Sequence, residues 1–581
     1  MKPIHLILSA LVVLGTPQVS SSLDTSSVAA LNHDAAAAAF KARDWEEAAR
    51  LLQPMAEENP YSGRIWSFLA GARYGLQQWS ASADAYDRAA ELGFQRAISL
   101  YNSACCRSLL GETDRAIDTL ERALRGHFGR REELLRTDTD LDNIRNMEAF
   151  HERILPRVPE DISRVDGWNV DLDYLHRRME ETHYDLYRNI SREEWARGLD
   201  RIRASVSQKE DHEIIVDLMA LFARIGDGHT GVVPPIGGMP ERPSVRALEQ
   251  WHAIPVDFYI FTDGLFVRSA ESRYASVVGK RVKRVGKLSA ADALERCASV
   301  TQRDNTQQIK WIAPRWMSAV EVLHGLGIIE NRDHVDLVVA DAEGQEEKVR
   351  IEPVPFDRNM MSRNFAEPVT MIEGPTPMYL RDREQNYWYE YLEDERLVYF
   401  QFNAVMNEDE GESLADFSAR LFDFINKNEV DALVIDVRLN HGGNNFLVAP
   451  IIDAVVRTNK INEKGKLFMI IGRETFSACQ NFTNRMQRET EVMFVGEPTG
   501  SSPNFVGEGN PIWLPWSGLT VRGSSRYWQD SVSEDARPWV APDLVAELSS
   551  QDYRLGHDPA MATLRAYLQA HREFMEERAA R

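Results

Sequence analysis

The stretch 431-DALVIDVRLNHGGNN-445 opens on an apolar run, Ala432 to Val437, and closes on the pair Gly442-Gly443. A run of that length bounded by turn residues reads as a buried strand that ends where the glycines allow the chain to turn. Two more pieces follow. In 466-KLFMIIGRETFSACQNF-482, a second apolar run, Leu467 to Ile471, precedes Ser477, with small Ala478 and Cys479 behind it. In 491-EVMFVGEPTGSSPNFVGE-508, a strand through Val495 opens into a loop of Gly, Pro and Ser. The rhythm of strand, loop, helix, strand predicts a parallel α/β core whose loops converge at the carboxyl edge of one sheet, where chemistry is expected.

The rest of the chain is organised around this core. Lys2 precedes an apolar stretch from Ile4 to Leu14, too short to span a bilayer and suited to a secretory signal over 1–21, with Val19 and Ser21 at the small-residue positions of a cleavage site. With 581 residues there is room for roughly four domains. A net charge of −22 argues against nucleic acid or an anionic membrane as the main partner. The four cysteines, Cys105, Cys106, Cys297 and Cys479, have neither the spacing of a metal site nor that of a disulfide framework.

Over 28–155 an internal period is visible. Trp45, Trp79 and Thr113 follow one another at intervals of 34, as do Ala49, Ala83 and Ile117, and Leu52, Tyr86 and Leu120. With Ala-rich helices and Pro60 or Gly93 between them, this resembles the tetratricopeptide repeat, a solenoid of about three helix pairs capped by the segment from Leu134 to Phe150. Such a stack implies a face for protein partners. Residues 160–245 are helical by periodicity and lead to His229 in a Gly-bounded turn, whereas His176, His183 and His212 lie within helical patterns and read as structural. Over 250–355 short strands with Gly turns and a short helix predict a partly open β barrel. The core spans 375–550, with Pro542-Asp543 before its last strand, and an amphipathic surface helix is expected over 555–581.

Asp436-Val437-Arg438-Leu439-Asn440-His441-Gly442-Gly443, then Thr475-Phe476-Ser477-Ala478, then Gly496-Glu497-Pro498-Thr499-Gly500, resembles the tail-specific, or C-terminal-processing, serine protease family. Upstream, Gly226-Asp227-Gly228-His229-Thr230 is similar to the histidine motif of that family's tricorn-like branch. The resemblance implies a multidomain chain: an α-helical repeat solenoid, then a ClpP/crotonase-like α/β protease core with an inserted PDZ-like β domain that could take up substrate tails. It implies Ser477 as nucleophile and His229 as its base, with an oxyanion hole at the Gly443 and Ala478 amides. It needs no cofactor or metal. Many members place a lysine after the third motif; here the chain reads Gly500-Ser501-Ser502-Pro503, so the Ser-His branch is the better match. The group that orients His229 is left among Asp227, Glu497 and Glu508, with Glu497 ranked slightly first because it lies in a matched motif, its alternative reading being a brace for the loop. His441 is a further site-lining residue, and Asp436 and Arg438 read as a structural ion pair. For Ser477 the plain alternative is a helix N-cap.

The expected function is an exported, periplasmic or secreted serine endopeptidase or carboxy-terminal processing peptidase acting on protein or peptide substrates. The alternative is a non-catalytic protease-fold scaffold or peptide-binding protein, and a lesser one is hydrolysis of a small ester or lactam.

Overall fold

The computed structural model describes residues 25–126, 128, 131–238, 244–362, 365 and 367–579. The signal segment expected over 1–21 lies outside them. Among the described residues twelve α-helices, the first Thr25–Ala42 and the last Asp211–Ala223, precede a β-rich region with several sheets. No helix among them is long and apolar enough to cross a membrane. All four cysteines are free and buried.

The chain forms two compact units. One comprises the residues up to His183 together with a segment ending at Arg246 and Ile512–Gly518; the other holds the remainder. In the first unit the helices Trp45–Glu58, Gly63–Gly75, Trp79–Glu91, Arg96–Leu109 and Thr113–Leu124 each pack on the next. Their starts are written locally: Asp44 accepts a hydrogen bond from the Glu47 amide and Ser62 from the Ile65 amide, satisfying donors that a helix leaves open. Leu52, Tyr86 and Leu120, the residues 34 apart, are all buried. Short helices Arg131–Thr137, Asp142–Arg145 and Glu148–Arg153 follow. Within the same unit Asp171 is buried and accepts from the amides of Trp516 and Ser517.

The second unit is built on a six-stranded sheet in the order Tyr387–Leu392, Leu397–Phe402, Ala432–Asp436, Leu467–Ile471, Met493–Gly496, Leu544–Val545. The first pair is antiparallel and every later pair is parallel. The apolar runs are continuous because both faces are covered. Leu433, Ile435, Leu467, Met469 and Ile471 point into one core with the helices Leu414–Lys427, Ala449–Arg457 and Ala478–Glu489; Ala432, Val434, Phe468 and Ile470 point into the other. That second face is closed by Ala560, Met561, Leu564 and Leu568 of the terminal helix Pro559–Ala579. The helix expected merely to rest on the surface therefore supplies one wall of the core, at the i, i+4 spacing of a buried stripe.

Over 250–355, where short strands and one helix were expected, an antiparallel sheet forms, in which Val256–Phe261 pairs with Gly264–Glu271 and Val335–Ala340 with Glu346–Ile351. Three helices, Ala290–Ala298, Thr306–Trp316 and Val320–Gly325, lie between its strands in sequence. A third sheet joins Gly231–Val233, Thr520–Gln529 and Asn504–Trp513, carrying the chain that leaves His229 into the second unit's frame.

Candidate active site

Three loops meet at the carboxyl ends of the parallel strands. The loop after Ala432–Asp436 is held by Asn440, fully buried, whose Nδ2 donates to the Phe402 carbonyl at 2.9 Å and whose Oδ1 accepts the Gly442 amide at 2.9 Å. The loop after Leu467–Ile471 is tied to it: the Phe476 amide donates to the Asn440 carbonyl at 3.1 Å, and Thr475 Oγ1 to the Val437 carbonyl at 3.0 Å. The loop after Met493–Gly496 braces the second, the Gly500 amide donating to the Thr475 carbonyl at 3.0 Å.

Ser477 stands at the turn from strand to helix with φ +58° and ψ −125°, a backbone conformation that L-residues other than glycine rarely adopt. It occupies the N-cap position of Ala478–Glu489, but its side chain makes no capping bond. Its Oγ lies 2.9 Å from His229 Nε2 instead. Gly442 makes room for this turn, since a Cβ there would fall 2.7 Å from both the Ser477 Cβ and the Ala478 amide nitrogen. The amides of Gly443 and Ala478 take no partner in the hydrogen-bond network of the described residues, whereas that of Gly442 is occupied by Asn440.

His229 is sandwiched. Phe476 stacks on one side with ring centroids 4.3 Å apart, and Phe505 on the other at 5.4 Å and an interplanar angle of 6°. The side chain keeps 13 % exposure. Burial holds its pKa below the ordinary 6.5, Asp227 opposing and Arg522 reinforcing the shift. The Val506 carbonyl is close enough to favour the charged ring, yet Nδ1 is buried with no partner in hydrogen-bond geometry.

Of the groups expected to orient this ring, Asp227 comes nearest, its Oδ1 lying 4.0 Å from Nδ1 while accepting the His229 backbone amide at 2.8 Å. Its Oδ2 accepts from Thr230 Oγ1 at 2.6 Å. Glu497, ranked first from the sequence, does not serve: it forms a two-pronged pair with Arg473, 2.7 Å to Nε and 2.8 Å to Nη2, which commits both its oxygens. Arg473 is itself gripped by the Ile260 carbonyl at 2.8 Å. Glu508 is exposed, with φ +61°, and makes no bond to His229 among the described residues. His441 lines the site, half-exposed, 2.7 Å from Glu474 Oε2 and tilted against Trp311 at 4.6 Å. Asp436 and Arg438 form the expected ion pair at 2.7 Å, and Arg438 extends it by a fork to Asp558, 2.9 Å to each oxygen.

Four contributors have no sequence signal of their own. Trp311 packs against Phe476, Phe505 covers the imidazole, and Asp304 accepts the Gly228 amide at 2.7 Å. Ser501 is fully buried where many family members would carry the lysine, and its Oγ lies 3.4 Å from the Ser477 amide. Gln308, three residues before Trp311 on the helix Thr306–Trp316, marks the buried side of that helix, and its spacing to Trp311 and Arg315 is the only periodic hint available.

An activated hydroxyl beside a desolvated imidazole, with unspent amides next to it, defines the class of serine hydrolases. Residues 397–508 match the sequence profile of Peptidase family S41. Residues 397–508 of the chain thus carry an S41 peptidase domain. No curated protein matches it. Among solved structures it is similar to mature CPAF complexed with lactacystin (13 % identity, 70 % of this chain and 99 % of that one, TM-score 0.49). It is also similar to the photosystem II D1 C-terminal processing protease (12 %, 67 % and 98 %, TM-score 0.31) and the tricorn protease (15 %, 70 % and 36 %, TM-score 0.32). The family assignment rests on the sequence-profile match.

Proposed function

We propose that the protein is an exported endopeptidase or carboxy-terminal processing peptidase that cleaves protein or peptide substrates by a Ser477–His229 mechanism. The observation that carries this reading is the 2.9 Å contact between Ser477 Oγ and His229 Nε2 at a strained strand-to-helix turn. Ser477 Oγ attacks the scissile carbonyl carbon while His229 Nε2 takes its proton. The carbonyl oxygen gathers charge between the Gly443 and Ala478 amides. His229 then returns the proton to the leaving amine, an acyl-enzyme remains, and water activated by the same imidazole releases the acid and restores Ser477. Burial keeps His229 neutral and ready as a base, and the Asp227 charge 4.0 Å away favours the imidazolium that forms in transit.

The ClpP/crotonase-like core would act together with two accessory parts. The helix pairs of 28–155, read as tetratricopeptide-like repeats, would hold protein partners. The sheet of 250–355, read as PDZ-like, would take up an extended substrate tail by strand addition. The apolar segment Ile4 to Leu14 supports export to a periplasm or beyond.

The test is fluorophosphonate labelling of the full chain beside Ser477→Ala and His229→Ala variants checked for folding by circular dichroism. Labelling of the wild type that disappears in both variants is the expected result. A folded wild type that resists labelling overturns the mechanism.

A further inference from the structure

Asp304 lies in the connection between the helices Ala290–Ala298 and Thr306–Trp316, far from either residue of the candidate pair in sequence, yet it touches the loop that carries His229 and lies by the loop after Met493–Gly496, which braces that of Ser477. Its Oδ1 accepts the Gly228 amide at 2.7 Å, one residue before His229. Its Oδ2 is buried without a hydrogen-bond partner, on the side of Ser501, whose Oγ lies 3.4 Å from the Ser477 amide. The carboxyl is itself fixed from behind. The Asp304 amide donates to Gln308 Oε1 at 2.5 Å, and the neighbouring Asn305 Nδ2 donates to the carbonyls of Thr499 and Pro538 at 3.2 and 2.7 Å. Asp304 is thus pinned to the same loop as Ser501.

We propose that Asp304 is a positioning residue for His229, holding the histidine loop through the Gly228 amide against the loop that braces Ser477. This deepens, and rests on, the Ser-His reading above. The groups that face its carboxyl are Asp227 and Gly228 from the histidine loop, Ser501 from the loop after Met493–Gly496, and Arg188. Burial and the like charge of Asp227 push its pKa up to about 7. Two carboxyls so placed do not readily ionise together, so Asp304 holds a proton that leaves Asp227 as the anion beside His229. The charge that steadies the imidazolium is therefore set by Asp304, which does not itself touch the reacting atoms.

The test uses the full chain with ¹³C-labelled histidine. The His229 signal, assigned with His229→Ala, is titrated by NMR in the wild type and in Asp304→Asn, and the rate of fluorophosphonate acylation is followed against pH in both and in Asp304→Ala. Asp304→Asn copies the protonated carboxyl, so His229 is expected to titrate within about 0.3 of its wild-type position in pH, with the acid limb of acylation likewise unmoved. Asp304→Ala, which leaves the Gly228 amide without its partner, is expected to acylate about tenfold more slowly, and Asp304→Asn to recover most of that loss. A His229 titration that moves in Asp304→Asn, or wild-type acylation in Asp304→Ala, overturns the proposal while labelling of Ser477 keeps the Ser-His reading intact. Absence of labelling in the wild type overturns that reading and the positioning role with it. Where Asp304→Ala does not fold, the Asp304→Asn titration decides alone.

Discussion

Arg473 and Glu497 fasten the loop that leads to Ser477 onto the loop that follows the neighbouring strand, by two nearly parallel hydrogen bonds of 2.7 and 2.8 Å between almost fully buried groups. Such a pair is costly to break from one side, because the remaining charge stays buried without its counter-ion. Glu497→Ala is expected to lower stability by about 3 kcal/mol, read as a lower urea midpoint at unchanged slope. The acid limb of the acylation profile should stay where it is, which separates this bracing role from the orienting role that the motif suggested.

Gly442 lets two loops approach to backbone distance at φ +97°. Gly442→Ala is expected to reduce acylation by about 10²-fold or more, because the added methyl must push away the Ala478 amide and the Ser477 Cβ. Comparing its rate with Ser477→Ala, at equal far-ultraviolet circular dichroism, measures how far the amides beside Ser477 have been displaced.

Phe505 keeps water from one face of His229. Phe505→Ala admits solvent, so the imidazole should titrate closer to 6.5 and the acid limb of activity should move up in pH. For the wild type the sign is fixed by the lowered pKa. The folded state gains nothing from protonation near pH 6.5 while the unfolded chain does, so the part of stability owed to a neutral His229 is complete above about 6.5 and is lost as pH falls towards the folded value. Urea titrations of the wild type and of Phe505→Ala at several pH values would display both effects.

Leu564 is fully buried in the terminal helix and packs with Phe468 and Ile470 in one core. Leu564→Ala is expected to cost about 3 kcal/mol, as other buried leucines do when a cavity replaces them. A loss below about 0.5 kcal/mol in urea unfolding would return this helix to the surface role read from its sequence.

The parallel core was legible because its strands are apolar on both faces, so that Leu467–Ile471 stands out whatever surrounds it. Ser477 and His229 were legible only through motifs, since nothing local distinguishes a nucleophile from a helix cap; what separates them is the turn at φ +58° and a partner 248 positions away. Glu497 was misjudged for the same reason. Its partner Arg473 stands 24 positions earlier, on a neighbouring strand's loop, and an ion pair across two loops leaves no periodic trace. Trp311 and Asp304 were missed because the helix Thr306–Trp316 buries Gln307 and Gln308 beside its aromatics and contains Pro314, which blurs the apolar stripe. The role of the terminal helix was half legible: its stripe at 560, 561, 564 and 568 is plain, but of the strands whose face it covers all except Leu544–Val545 lie more than sixty positions upstream.

The order in which the two halves of the site are synthesised has its own consequence. His229 leaves the ribosome 248 residues before Ser477, with the whole antiparallel sheet of 250–355 made in between, and the wall supplied by Pro559–Ala579 comes last of all. Until Ser477 has been made, the hydroxyl and the imidazole have no shared frame, and their 2.9 Å contact can form only after the whole intervening sheet has been synthesised.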